Sequence, residues 1–268
     1  MTSRSSNNAT GTSGASLAVQ SVTKGLRRGC EKYGVKVNQI LCAIDFLPNE
    51  SAEIAQLAHK LRDDFPCAVV GIDVAAGESH FEPSHPFHKG HFDMCQTATD
   101  LGLNITIHAG ETPDAAHHVQ MAIDQYGAKR IGHGYRIVAT PEIMKAVQEQ
   151  KIHIEVCPTS SVETGGWRKT VWTEHPALTF HEYGISQSLS SDDPSVFNTS
   201  LSWQYRIAIK KMGFTKQNVL EMTKNGIQAA FISDEEKTKL LGQLEEYSDS
   251  AEELRPSFTD RVHYETLE

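Results

Sequence analysis

A chain of 268 residues, 39% of them hydrophobic, carries enough apolar material for one large or two modest globular domains. Its formal net charge of -9, with no compensating basic patch, argues against nucleic acid as a partner, because a phosphate backbone would be repelled. No apolar run is long enough to cross a bilayer and none has the shape of a signal-peptide core, so the expected setting is cytoplasmic and away from membranes.

Residues 1–16, MTSRSSNNATGTSGAS, are almost all Ser, Thr, Asn, Gly and Ala and are expected to form a disordered polar tail. The first strand is expected at QILCAIDF (39–46). The helical pattern SAEIAQLAHKLRDDF (51–65) follows it, with apolar positions at 54, 57, 58 and 61. A second strand, CAVVGIDV (67–74), leads into SHFEPSHPFHKGH, where His80, His85, His88 and His91 read as a proline-interrupted surface loop rather than a metal site. Further strands are expected at NITIHAG (104–110), RIGHGY (130–135), IHIEVCP (152–158) and ISQSLSS (185–191). PEIMKAVQEQ (141–150) is a helix with proline in its first turn. Beyond Asp193 the pattern is helical at roughly 198–212, 216–229 and 234–247, and residues 248–268 form a second polar tail. Residues 17–247 are thus expected to make up the folded domain. The five cysteines form no C-x-x-C pair, and Cys42, Cys67 and Cys157 read as small apolar residues inside strands.

Strand followed by helix, repeated six times, implies an α/β fold with a parallel sheet. Several strands end in reactive side chains: Asp73, then His108 and Glu111, then His133, then Asp192 and Asp193. Catalytic groups donated by many strand ends are the habit of a TIM-type (β/α)8 barrel, whereas an open doubly wound sheet gathers its site at one switch point. No G-x-G-x-x-G or Walker-type loop supports the open alternative. A strand-end imidazole such as His108 suits a borderline metal such as zinc. Each residue also has an ordinary reading: His108 as structural, Glu111 as a first-turn carboxylate on a helix dipole, His133 as a turn histidine, and one aspartate of Asp192-Asp193-Pro194 as a helix cap.

The motifs IHAGE (107–111), GHGY (132–135), EVCPTSSVETGGW (155–167) and SLSSDDP (188–194), in that order, resemble those of the adenosine deaminase family, over roughly residues 17–247. The resemblance implies a (β/α)8 zinc hydrolase acting on a small-molecule purine nucleoside, converting adenosine or deoxyadenosine to the inosine form and ammonia. By motif it implies His108 and Asp192 as zinc ligands and Glu111 as the acid that protonates the purine ring. It also implies His133 as the residue that orients or deprotonates water, and Asp193 as a holder of a purine nitrogen. A backbone N–H contact falls to the family's D-L-A-G glycine position; IDVAAGE places Ala76 there, followed by Gly77. The family's first strand carries H-x-H, which supplies two further zinc ligands, yet no two histidines here are two apart. QILCAIDF resembles the family's third strand, so the expected fold is an incomplete barrel holding strands three to eight, with C-terminal helices. A truncated, non-catalytic relative and an amidohydrolase acting on another aminopurine nucleoside or nucleotide are the alternative functions.

Overall fold

A computed structural model of the chain describes residues 14–63, 67–78, 84–85, 88–167 and 171–250. Six parallel strands form one sheet in sequence order: β1 Gln39–Ile44, β2 Val69–Ala75, β3 Asn104–Ala109, β4 Arg130–His133, β5 His153–Val156 and β6 Gln187–Leu189. All six fall within the expected stretches or overlap them by all but a residue. Among the described residues β1 and β6 are each paired on one side only, so this is the α/β sheet of the expected incomplete barrel.

Helices α2 Pro48–Leu61, α3 His88–Asp100, α4 Ala116–Asp124 and α5 Pro141–Glu149 connect the strands, joined later by α6 Pro158–Glu163 and α7 Pro176–Tyr183. Four of them begin on proline, whose fixed φ suits a first turn that needs no N–H partner. That proline sets the start of α2 three residues before the stretch expected to be helical. β-branched Val69, Ile72, Val74, Ile105, Ile107, Ile131, Ile154 and Val156 are buried between sheet and helices, as parallel strands covered by helices require.

Several expectations are corrected. Gly14–Ser16, assigned to the polar tail, form the first turn of a helix the sequence did not single out, α1 Gly14–Tyr33; residues 1–13 lie outside the described residues. The 198–212 helix begins at Leu201 behind a Ser200 cap as α8 Leu201–Ile207, then widens into a π-helical turn at Ala208–Met212. His80 lies outside the described residues. His88 and His91 are not loop residues but open α3, where buried His91 joins Ser51 Oγ at 2.9 Å and the Asp45 carbonyl at 2.7 Å. Cys42 is exposed on the edge strand β1; Cys67 precedes β2 and Cys157 follows β5, both buried.

By its internal contacts the chain divides after Phe231. The first unit ends with α9 Lys216–Ala229, opened by a reciprocal Thr215–Asn218 capping box. The second contains α10 Asp234–Ser250, which runs past the expected end at 247 and opens on three acidic residues that favour a helix N-terminus. Residues 251–268 lie outside the described part. Among the described residues no helix is long and apolar enough to cross a membrane.

Two buried imidazoles give the fold an acid limit. His175 caps α7 by accepting the Ala177 N–H at Nδ1, so its proton resides on Nε2, facing Ser161 Oγ at 3.1 Å. Burial pushes His175 down to about 3, and burial, with Arg130 adding to it, pushes His153 down to about 4. Unfolding frees both to take up protons near pH 6.5. Their contribution is therefore fully present above about pH 6.5 and is lost as pH falls toward 3 to 4. Each group contributes a slope of at most about 1.4 kcal/mol per pH unit in that window. Unfolding free energies measured across it are expected to flatten in His175→Gln by about one such slope; an unchanged acid limb would contradict this.

Candidate active site

Side chains paired in register across parallel strands share a face. Cys42 pairs with Asp73, and His108 aligns with Gly132 and Glu155, so one face of the sheet gathers these groups near the C-terminal strand ends. His108 Nδ1 lies 2.9 Å from Asp73 Oδ2. Gly132 leaves the imidazole its room: a Cβ there would stand 3.2 Å from the ring. Burial by itself would lower the His108 pKa, but Asp73 beside it, with Glu155 and Asp192, outweighs burial and holds it at about 10. The same negative field favours a bound cation. Glu155 stays ionised despite its burial because Arg130 Nε donates to it at 2.6 Å and Thr106 Oγ1 at 3.0 Å.

His133 ends β4 with its ring 5.1 Å from that of His108. Its Nε2 lies 3.6 Å from Glu111 Oε2 and 3.9 Å from Asp192 Oδ2. Burial, helped by His108, lowers its pKa against the pull of Glu111 and Asp192, which leaves a neutral imidazole able to accept a proton. Three residues singled out from the sequence, Ala76, His133 and Asp192, have left-handed backbones with φ of 75°, 70° and 56°. Such a conformation costs a non-glycine residue about 1 kcal/mol and concentrates where function demands a particular side-chain direction.

Glu111 is not in a first helical turn: α4 starts five residues later. It sits instead on a loop held by a carboxylate that the sequence did not single out. Glu78, 4% exposed, accepts the backbone N–H groups of Gly110, Glu111 (2.9 Å) and Thr112 (2.6 Å), and the Thr112 hydroxyl at 2.8 Å. Burial opposes its charge, but His118 at 3.3 Å and these Thr112 donors outweigh burial and lower its pKa. Thr164 Oγ1 donates to Glu111 Oε1 at 2.9 Å, and Arg136 Nε donates to the Glu111 carbonyl at 3.1 Å. Gly166 presses on the same side chain, since a Cβ there would come within 2.8 Å of Glu111 Cγ. The TGG stretch thus closes over the carboxylate. Glu78 was illegible because its partners, the backbone after β3 and His118 on α4, lie 32 to 40 residues away.

Asp192 and Asp193 do not cap a helix. Asp193 is exposed, and its carbonyl accepts the N–H groups of Val196 and Phe197 in a turn that ends well before α8. Ala76 and Gly77 are exposed at the end of β2, with the Asp45 carboxylate 3.5 Å from where a Gly77 Cβ would be.

Among the described residues the donor atoms of His133, Cys157 and Asp192 lie within 4.8 Å of one another, a metal-sized cluster from which His108 is absent. Burial, reinforced by Asp192, raises the Cys157 thiol far above its ordinary range and keeps it protonated, which leaves it a poor ligand. Asp73 Oδ1 and His133 Nδ1 are buried here without a hydrogen-bond partner. An imidazole backed by a carboxylate, with a second carboxylate facing it, suits a borderline dication, so the residues present fit zinc. His108 and Asp192, the two ligands expected from the motifs, would be two of the three protein ligands usual for catalytic zinc. Asp73→Asn is expected to weaken zinc binding about 10- to 100-fold, read by metal titration; unchanged affinity would remove Asp73 from the support of His108.

A parallel strand–helix sheet whose C-terminal strand ends gather imidazoles and carboxylates is the arrangement of an α/β barrel with its site at the strand ends. The adenosine deaminase family model matches residues 4–247, and the chain belongs to that family of hydrolases. It is 36% identical over 228 residues to adenosine deaminase of Xenopus tropicalis, covering 85% of this chain and 62% of that one. The chain thus spans about three fifths of the length of the curated relatives it matches. Among solved structures it resembles an amidohydrolase of Burkholderia ambifaria with bound Zn, with a TM-score of 0.77 at 24% identity, covering 87% of this chain and 62% of that one. It also resembles Arabidopsis ADAL complexed with IMP, with a TM-score of 0.75 at 25% identity, covering 92% and 70%.

Proposed function

We propose that this site serves zinc-dependent hydrolytic deamination of adenosine or deoxyadenosine to inosine or deoxyinosine and ammonia. The observation that carries the reading is the meeting of Glu111, neutral His133 and Asp192 at one point, from three different strand ends. His108 and Asp192 would hold the metal. When bound, zinc supplies a water whose pKa is lowered toward neutrality. His133, kept neutral by burial and set between Glu111 and Asp192, would orient the attacking water and take up its proton. Glu111, fixed by Thr164 and by its own loop, delivers a proton to the ring nitrogen next to the attacked carbon. Asp193 holds another purine nitrogen, and the backbone at Ala76 and Gly77 offers an N–H to the base. The proton taken up by His133 would pass to the amine, which leaves as ammonia.

The likeness to a protein solved with IMP favours an aminopurine nucleotide as the second substrate class. Purified chain is to be assayed for zinc content and for deamination of adenosine, deoxyadenosine and AMP. Turnover of the nucleosides with stoichiometric zinc supports the first reading, and turnover of AMP alone supports the second. A chain that binds no zinc and turns over none of them is a deaminase-like protein without catalysis.

A further inference from the structure

We propose that Cys30 and Cys67 are a dithiol that low-molecular-weight disulfides convert to an intramolecular disulfide, stapling α1 to the start of β2. Their sulfurs lie 3.6 Å apart, in van der Waals contact, although 37 residues separate them in the chain. A disulfide bond of about 2.05 Å needs the sulfurs to close by roughly 1.5 Å, within the reach of side-chain torsions and a small helix shift.

Two features hold the pair in place. The carboxamide nitrogen of Gln39, in β1, donates both to Thr23 Oγ1 at 2.9 Å and to the Cys67 carbonyl at 2.7 Å. Thr23 is two helical turns before Cys30 on the same face of α1, so one buried group fixes both the helix face and the backbone that carry the thiols. Thr23 in turn donates to the Val19 carbonyl at 2.8 Å, which satisfies its hydroxyl on both counts. The second feature is the backbone of Cys67, which is left-handed at φ 73°. Glycine is the ordinary occupant of such a position; a cysteine there keeps the strain and gains a side chain directed at α1.

Access sets the order of events. Cys30 is partly exposed and Cys67 is 1% exposed, so only Cys30 can meet an external disulfide. The Cys30 thiolate attacks oxidised glutathione, forming a mixed disulfide and releasing one glutathione thiolate. The Cys67 thiolate then attacks the Cys30 sulfur, and the second glutathione leaves as its thiolate. Two protein thiols lose two protons and two electrons, and one glutathione disulfide becomes two thiols. No described cysteine lies against Cys42, and desolvation of its sulfur, with Asp73 beside it, pushes its thiol up to about 12, so at the pH of the test it is expected to stay a free thiol.

The test incubates the reduced full chain with oxidised glutathione at about pH 8, where a useful fraction of thiolate exists, and maps the peptides without reduction. The expected result is a Cys30–Cys67 cross-linked peptide in at least about tenfold excess over glutathione-bearing Cys30, because the second thiol is held at high effective concentration. In Cys67→Ser glutathione is expected to stay on Cys30. The oxidised parent is expected to melt higher than its reduced form, a rise absent from Cys30→Ser. Glutathione persisting on Cys30 of the parent while Cys67 remains alkylatable overturns the proposal. So does a cross-link from Cys30 to any other cysteine. The parent map decides alone should either variant fail to fold.

Discussion

Glu111→Gln is expected to lower deamination by about 10²- to 10⁴-fold while leaving zinc stoichiometry unchanged. Glutamine keeps the length of the side chain and its acceptor for the Thr164 hydroxyl, so the loop geometry survives. What it cannot do is give up a proton to the purine ring. The proposed zinc donors, His108 and Asp192, lie on β3 and on the segment after β6, and neither hydrogen-bonds Glu111 among the described contacts. A variant that turns over adenosine at the parental rate with parental zinc would remove Glu111 from the chemistry. One that loses zinc together with turnover would make Glu111 part of the metal site instead.

The second large effect is on folding. Glu78→Ala is expected to destabilise the chain by about 3–5 kcal/mol, because a buried charge is removed from partners that lie in the interior with it. His118, 6% exposed, loses its carboxylate, and three successive backbone N–H groups lose their acceptor. Glu78→Gln keeps one carbonyl oxygen but turns an amide NH₂ toward donors, and is expected to cost about 1–3 kcal/mol. Denaturant unfolding gives the magnitude, and amide exchange gives the location. Faster exchange confined to Gly110–Thr112 in the glutamine variant is the expected signature. A uniform change across β3, β4 and β5 would mean that Glu78 supports the fold at large rather than the Glu111 loop.

Much of this was legible along the chain. Apolar, mostly β-branched stretches between helical periods mark β1, β2, β3 and β5, because a strand covered by helices on its outer face must be apolar there; β4 and β6 are marked instead by the GHGY and SLSSDDP motifs that follow or overlap them. The motifs HAGE, GHGY and SLSSDDP put the reactive residues at strand ends, since the spacing from strand to side chain is local. Local sequence misled at helix limits. Proline at Pro48 starts α2 before its apolar stripe, and the start of α1 is hidden in a Ser-, Thr- and Gly-rich stretch while its interior glycines at 25 and 29 weaken its helical pattern.

The sequence by itself determined the parallel α/β class, the order of the strands, the family and the identity of the strand-end histidines and carboxylates. Each of these follows from residue types within a few positions of one another. Only the tertiary structure decided that Asp73 backs His108, that Glu78 clamps the Glu111 loop, that Thr164 holds the Glu111 carboxylate, and that Cys30 meets Cys67. Those pairs lie tens of residues apart, and burial decides their chemistry: it makes an unpaired charge costly and a paired one stable. No local pattern encodes which distant group will supply the partner.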